Sequence, residues 1–409
     1  MDNSRGIVLY LHVHQPWRVR NYDIFDVASK HNYFSESASP DQDNELIFHK
    51  IANKSYKPMN HLLEKLLNDH PDFKVSLSIT GTFIEQAEQF DPGILDSFRR
   101  LVDTGRVEIL SETYHHSLAF FYDRNEFEAQ VERHRQKIRE VFGVETRVFR
   151  NTELAYNNEL AKWADDYGFN GIIAEGWDDV LGWRSPNYVY RPVNTGNIKL
   201  LMKNYRLSDD IAFRFSDRGW ADWPLTADKY HRWASTALED APLLNLFMDY
   251  ETFGEHQWAE DGIFEFFEQF VRHWVSRPDQ KFYTISEAIE ANEPQGEISV
   301  TQTVTWADSE RDLSAWLGNN LQHEAMKYIY DMTERVLRTG DGQLIDDWRK
   351  LQTADHVYYM STKHADDGSI HSYFSPYSSP YEAFLNYMNA IRDIRWRTDN
   401  LLGSGVYDG

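Results

Sequence analysis

The chain has 409 residues, 41% of them hydrophobic and 26% charged, which suits one large or two moderate globular domains and excludes a disordered chain. It carries no cysteine, so disulfides, thiolate nucleophiles and thiolate metal sites are excluded, and its formal charge of −23 repels nucleic acid and anionic membranes. Aromatic residues make up 15% of the chain, as 13 Trp, 23 Tyr and 24 Phe, which serves both a packed core and the stacking of sugar rings.

The apolar run from Ile7 to Leu11 is too short for a signal peptide, and no stretch of about 18 apolar residues is present to cross a membrane. Cytoplasmic residence is therefore expected. Ile7 to Val13, Phe73 to Ile79, Val107 to Leu110, Arg147 to Phe149, Gly171 to Ala174, Lys199 to Met202 and Leu243 to Met248 read as buried strands. Helical patterns lie between them, such as Asn125 to Val141 with a stripe of Phe127, Val131, Ile138 and Val141. This alternation predicts an α/β domain over residues 1–290, with a parallel sheet closed into a barrel ringed by helices. Residues 20 to 50 are polar and aperiodic, and read as a long insertion of the lid or binding-loop kind.

Four strand ends carry chemistry. His12 and His14 share a face of the first strand, and Pro16 ends it; a structural pair and a ligand or metal site are both open readings. Glu108 lies inside an apolar strand, on the face of Leu110 and Glu112, where an acid must be paired or functional. Strand parity sets Phe149, Asn151 and Glu153 on one side and Arg150 on the other, placing Glu153 at the mouth; Glu153 could equally open the helix that follows. The strand from Leu243 runs straight into Asp249 and Glu251, whose mutual repulsion raises one pKa, as a general acid at neutral pH requires, and Gly254 then permits a tight turn.

Ala291 to Gly296 is a polar boundary with Pro294 and Gly296 close together. Beyond it, over residues 297–409, the pattern predicts a bundle of about three helices. The first carries Leu321, Ala325, Tyr328, Ile329, Met332 and Val336, and the second Leu344, Trp348, Leu351 and Tyr358. The third opens at Ser379-Pro380-Tyr381-Glu382 with the pattern of a capping box. There is no Gly-rich phosphate loop and no Gly-x-Ser-x-Gly elbow. What remains is an inventory of carboxylates, histidines and tryptophans, suited to a carbohydrate site.

Taken in order, the clusters resemble the signature regions of glycoside hydrolase family 57. These are His14-Gln15-Pro16 with His12 before it, Gly105 to Glu108, Phe149-Arg150-Asn151-Thr152-Glu153, and Asp249 followed by Glu251-Thr252-Phe253-Gly254. A fifth, Trp306-Ala307-Asp308 with Trp316 shortly after, lies in the helical part. The Asn-Thr-Glu form of the third region most resembles the α-amylase-type branch. The resemblance implies a distorted seven-stranded (β/α) barrel followed by a C-terminal α-helical bundle that completes the site, and retaining action on α-1,4-glucosidic bonds. It also implies Glu153 as nucleophile and Asp249 as general acid/base. His12, His14, Glu108, Glu251, Trp306, Asp308 and Trp316 would bind an α-glucan or maltooligosaccharide, with no metal and no cofactor. Tyr250 departs from the Gly of many members. The rival expectations are a 4-α-glucanotransferase with the same acids, a metal-dependent carbohydrate deacetylase using His12, His14, His115 or His116, and a non-catalytic glucan-binding protein.

Overall fold

The computed structural model describes residues 5–35, 37, 39–363 and 375–403. The part of the expected C-terminal subdomain at 364–374 and 404–409 lies outside the described residues. The chain forms two compact units. The first comprises residues 1–14, 49–112 and 134–306, and the second residues 15–48, 113–133 and 307–409. The division thus falls after Trp306 and not in the polar stretch 291–296, and the second unit takes in two earlier segments as well as the C-terminal one.

Among the described residues, ten strands belong to the first unit: β1 (Arg5–Val13), β2 (Val75–Ile79), β3 (Val107–Ile109), β4 (Val148–Phe149), β5 (Gly171–Glu175), β6 (Val189–Pro192), β7 (Lys199–Lys203), β8 (Leu243–Asp249), β9 (Gln280–Tyr283) and β10 (Glu297–Ile298). The seven strands predicted from apolar runs are all among them. β6, β9 and β10 were not foreseen, being four residues or fewer with polar residues interleaved. One sheet has the order β3-β2-β1-β8, with β9 also on β1, and the other has the order β10-β6-β7-β5-β4. All pairings are parallel except β6 with β7. β8 runs along one edge of β1, whereas the other edge is shared, Arg5–Val8 pairing with β9 and Tyr10–Val13 with β2.

Backbone hydrogen bonds link the two sheets at two places, between the ends of β3 and β4 and between β7 and β8. Ser111 N donates to Val148 O and Arg150 N to Ser111 O, each at 2.9 Å, and Asn204 N donates to Asn245 O at 2.8 Å. The result is an α/β fold with a curled parallel sheet. Because side chains alternate, each strand sends every second residue to the inside. Val8, Tyr10, Leu110, Val148, Ile173, Leu201, Leu243 and Phe247 form the interior cluster, and Ile285, Ala288 and Ile289 of the helix Ile285–Ala291 pack into it.

Glu108 shares the inward column of Leu110 but lies below it. Its carboxylate accepts the Ser286 backbone N–H at 3.0 Å, the Ser286 hydroxyl, and the Ser76 hydroxyl at 3.2 Å. It therefore meets the first turn of the helix Ile285–Ala291, where a negative charge complements the helix dipole. Glu108, expected from the sequence to bind substrate, is here bonded to the first turn of a helix.

The second unit is built from helices, including Arg124–Phe142 in its first turns, Asn320–Asp331, Thr333–Arg338, Gly342–Lys350, Ala354–Tyr358 and Pro380–Leu402. Ser379 Oγ caps the last by accepting from Glu382 N at 3.1 Å. The polar segment read as an insertion is tied to that helix. Asp393, fully buried, accepts Ala28 N and His31 Nδ1, each at 2.6 Å, and the Tyr33 hydroxyl, while Asn386 and Asn389 bond the Tyr22 backbone. Among the described residues, no helix is long and apolar enough to cross a membrane.

Removing the Glu108 carboxylate in Glu108→Ala leaves the part-buried Ser286 N–H without its acceptor. The unfolding free energy is expected to fall by about 1–3 kcal/mol, read by urea denaturation, with Glu108→Gln recovering part of the loss.

Candidate active site

The inward columns do not stay apolar. One or two positions beyond the last apolar residue, several end in an ionisable group: His12 on β1, Glu112 after β3, Arg150 after β4, Glu175 on β5, Lys203 on β7 and Asp249 on β8. Arg150 has no exposed surface, and neither has Glu112. Arg150 Nη1 donates to Glu112 Oε2 at 3.5 Å, and Nη2 lies 3.3 Å from His12 Nδ1. His12 Nε2 stands 3.1 Å from Glu112 Oε2. His134 holds Glu112 from behind, its Nδ1 accepting the Glu112 N–H at 3.4 Å. Arg150 is held above its ordinary pKa even though burial opposes the charge, because Tyr10, Glu112, Glu153 and Asp249 all favour the cation.

Glu153 reaches this cluster by a route that strand parity misses. Phe149 faces outward, its ring 5.1 Å from that of Trp163 and 5.2 Å from that of Phe169, while Val148 and Arg150 face in. The strand ends at Phe149, and Glu153 lies in a tight turn, Thr152–Leu154, with φ 56° and ψ 27°. Leu154 follows at φ 52°. Two successive left-handed non-glycine residues cost of order 1–3 kcal/mol each, and they re-aim the carboxyl. Trp306 Nε1 then donates to Glu153 Oε2 at 2.7 Å. The Trp306 ring in turn has the Arg150 guanidinium 5.3 Å and the Lys203 ammonium 5.5 Å from its centroid. Lys203 is buried against Asp209 at 2.9 Å and Glu175 at 3.7 Å.

Asp249 stands opposite His12 in the β1/β8 register, with Oδ1 3.5 Å from His12 Nδ1 and its side chain 42% exposed. Burial pushes its pKa up, but the hydrogen bond and charge of His12, then His256 and Arg150, outweigh that and hold it below the usual carboxylate range. The repulsion expected from the sequence is present, yet it falls on the other acid. Burial first, and then the charge of Asp249, push Glu251 up to about 8. Glu251 is buried, accepts the Tyr56 hydroxyl at 2.5 Å and the His14 N–H at 3.4 Å, and is uncharged at neutral pH. His14 Nδ1 lies 3.0 Å from Thr80 Oγ1, and its ring stacks on that of His12 with centroids 5.8 Å apart.

The turn after Glu251 fits against a wide helical turn, Ala52–Tyr56. A Cβ on Gly254 would stand 1.9 Å from the Lys54 carbonyl oxygen, and its φ of +106° is open to glycine. Tyr250, where a Gly was noted as commoner, is fully buried and bonds Asn60 through its hydroxyl, so it lies beneath the site and does not crowd Asp249.

The structure thus brings together His12, His14, Glu153, Asp249, Glu251 and Trp306, all in the first unit, and leaves Glu108 at the far end of its strand. Asp308 and Trp316 belong to the second unit. Trp316 is buried there with its ring 5.8 Å from that of Tyr358, which corrects its reading as a sugar-stacking surface; Asp308 lies 3.4 Å from Lys363 Nζ. Arg150, Glu112, Lys203 and Tyr56 were missed. The first three carry a recoverable signal: each is the charged residue that ends an inward-facing apolar column.

The sequence profile of glycosyl hydrolase family 57 matches residues 8–301. The chain belongs to this family. Over 414 aligned positions it is 42% identical to a Methanocaldococcus jannaschii protein provisionally named an alpha-amylase, covering 98% of this chain and 86% of that one. Solved structures share the fold. The 4-alpha-glucanotransferase of Thermococcus litoralis superposes with a TM-score of 0.66 at 16% identity, over 87% of this chain and 59% of that protein. The family 57 branching enzyme of Thermococcus kodakaraensis also gives 0.66, at 13% identity, over 88% and 86%.

Glu251 binds a proton in the folded protein across a range where the unfolded chain has already lost it. Its contribution to stability is therefore complete below about pH 4.5 and is lost as pH rises toward about 8. Glu251→Gln, which keeps the shape without the titration, is expected to flatten the fall in unfolding free energy between those values, measured by denaturant melts across pH. At the other acid, His12→Asn removes the group that most favours ionised Asp249, so the Asp249 carboxyl is expected to titrate at higher pH, read by carbon NMR of labelled aspartate.

Proposed function

We propose that this family 57 protein is a retaining, α-amylase-type glycoside hydrolase that cleaves α-1,4-glucosidic bonds in α-glucans and maltooligosaccharides by double displacement. The reading rests chiefly on one arrangement. Two partly exposed carboxyls, Glu153 and Asp249, are each anchored by a protein donor, Trp306 Nε1 and His12 respectively, around the buried cation Arg150. Strands β1, β2, β3, β4, β5, β7 and β8 would be the seven staves of the distorted barrel, in keeping with their pairing and the two links between the sheets.

Glu153 attacks the anomeric carbon, and Asp249 gives a proton to the departing glycosidic oxygen. Trp306 donates to one Glu153 oxygen and so orients the carboxylate. Asp249 then takes a proton from water, whose oxygen attacks the same carbon and releases Glu153. The environment that depresses Asp249 suits it as the base of the second step. For the first step it must be protonated, which sets the alkaline limb of kcat/KM on the acid side of neutrality. The reaction calls for no metal and no cofactor.

The Methanocaldococcus relative's name favours hydrolysis, while the Thermococcus litoralis enzyme is named for glucan transfer, which uses the same displacement with a sugar hydroxyl in place of water. Incubation with maltooligosaccharides followed by product sizing decides between them. Shorter products alone are expected; longer ones in quantity would make the protein a transferase, and no turnover of any α-glucan would overturn the proposal. Glu153→Gln and Asp249→Asn are each expected to lower kcat by a thousandfold or more, on the order seen when an essential nucleophile or base is removed, with unchanged circular dichroism.

A further inference from the structure

Nine residues past Asp249, the chain exposes a tryptophan where nothing in the catalytic cluster requires one. Trp258 is 51% exposed and borders a cavity of about 480 Å³ whose walls include Asn53, Lys54, Gly254, Glu260 and Phe264. All of these belong to the first unit.

The loop that carries this indole is braced. Gly254 N donates to Gln257 O at 2.9 Å, closing the turn just before Trp258. The Gln257 side chain bonds the Ala212 carbonyl at 2.7 Å and takes the Ser216 N–H at 2.9 Å, fastening the loop to its neighbour. Asp261 faces Arg218 at 3.5 Å, and Gly262 ends the short turn Ala259–Asp261 in the left-handed region. Gly254 leaves no room for a Cβ against Lys54 O. An apolar ring held out on a rigid frame loses little entropy when a ligand lies on it.

The wall chemistry narrows the ligand. Lys54 is already paired with Glu255 at 3.0 Å, so the cavity offers no uncommitted cation, and the overall charge of −23 disfavours an anion. Asn53 supplies a side-chain donor, Glu260 is an exposed acceptor, and Trp258 is a flat apolar surface. A neutral ring with one apolar face and a rim of hydroxyls fits all three.

We infer that this cavity is a second glucan-binding site, in which Trp258 stacks on a glucose unit of a chain longer than the one held at Glu153 and Asp249. The inference rests on the proposed α-glucan substrate. The site adjoins the Glu251–Gly254 turn, so one long chain engages the enzyme at two places and gains effective concentration, whereas a short one engages only the catalytic cluster.

The test compares kcat/KM for maltoheptaose with that for maltotriose. In Trp258→Ala this ratio is expected to fall about tenfold, the loss of one stacking contact, through KM for the longer sugar, and Trp258→Tyr is expected to restore most of it. Melting temperatures separate this from a folding defect. A ratio unchanged within about twofold in Trp258→Ala overturns the inference, while the proposed hydrolase stands on its own activity. If the wild-type protein turns over no α-glucan, the proposed function fails instead, and the cavity is then read by calorimetric titration with maltoheptaose. Binding that Trp258→Ala abolishes supports the site, and no binding to the wild type overturns it.

Discussion

The arrangement of the catalytic end depends on one buried cation. Arg150 lies where the inward columns of the curled sheet converge, with no exposed surface. Taking a guanidinium out of water costs several kcal/mol even after relaxation, and the cost is offset only where opposite charge is fixed close by. Glu112 supplies that charge at 3.5 Å, His12 bridges the two, and the fields of Glu153 and Asp249 reinforce it. Each partner is the terminal residue of a different strand or of the turn after it, so stabilising one charge fixes the relative heights of β1, β3, β4 and β8. The two candidate catalytic carboxyls are thus part of the counter-charge that makes the interior tolerable.

Seven strands were legible because they lie in apolar runs that must be covered on both faces, and all seven are present, although β3 and β4 are only three and two residues long. The strands β6, β9 and β10 lack such runs, since their pairing is set by neighbours distant in sequence. The site was legible in its residue types and less so in its directions. Parity serves for His12, Glu112 and Asp249, which stand on regular strands. It fails at Glu153 because the strand stops at Phe149 and two left-handed residues turn the chain, a strain that tertiary contacts pay for and that no local pattern announces. Glu108 and Trp316 show the opposite error. Both have the chemistry of sugar ligands, and both are consumed by packing, one under a helix N-terminus and the other inside the helical unit.

The two acids at the end of β8 divide their roles by what touches them. Asp249 keeps contact with solvent and with His12, and remains charged. Glu251, two residues on, is enclosed by Tyr56 and the His14 backbone and gives up its charge to its neighbour. The wide turn Ala52–Tyr56 makes that enclosure possible, and Gly254 lets the following chain lie against it. Burial behind this segment and the charge of Asp249 keep the proton on Glu251, against the hydrogen bonds from Tyr56 and His14 that favour its charged form.

The shared edge of β1 bears on how the protein is made. β1 is synthesised ahead of its partners, yet β8 covers one edge and β9 half of the other, and these begin at Leu243 and Gln280. At about 5–20 residues per second, roughly 10–50 s pass between the emergence of β1 and that of its last partner. Through that interval a nine-residue strand, apolar in its centre and flanked by neither, holds unpaired backbone groups of the kind that invite association with other chains. A nascent chain stalled before residue 243 is in this respect a different object from the finished protein: it displays the central strand of the sheet as an edge.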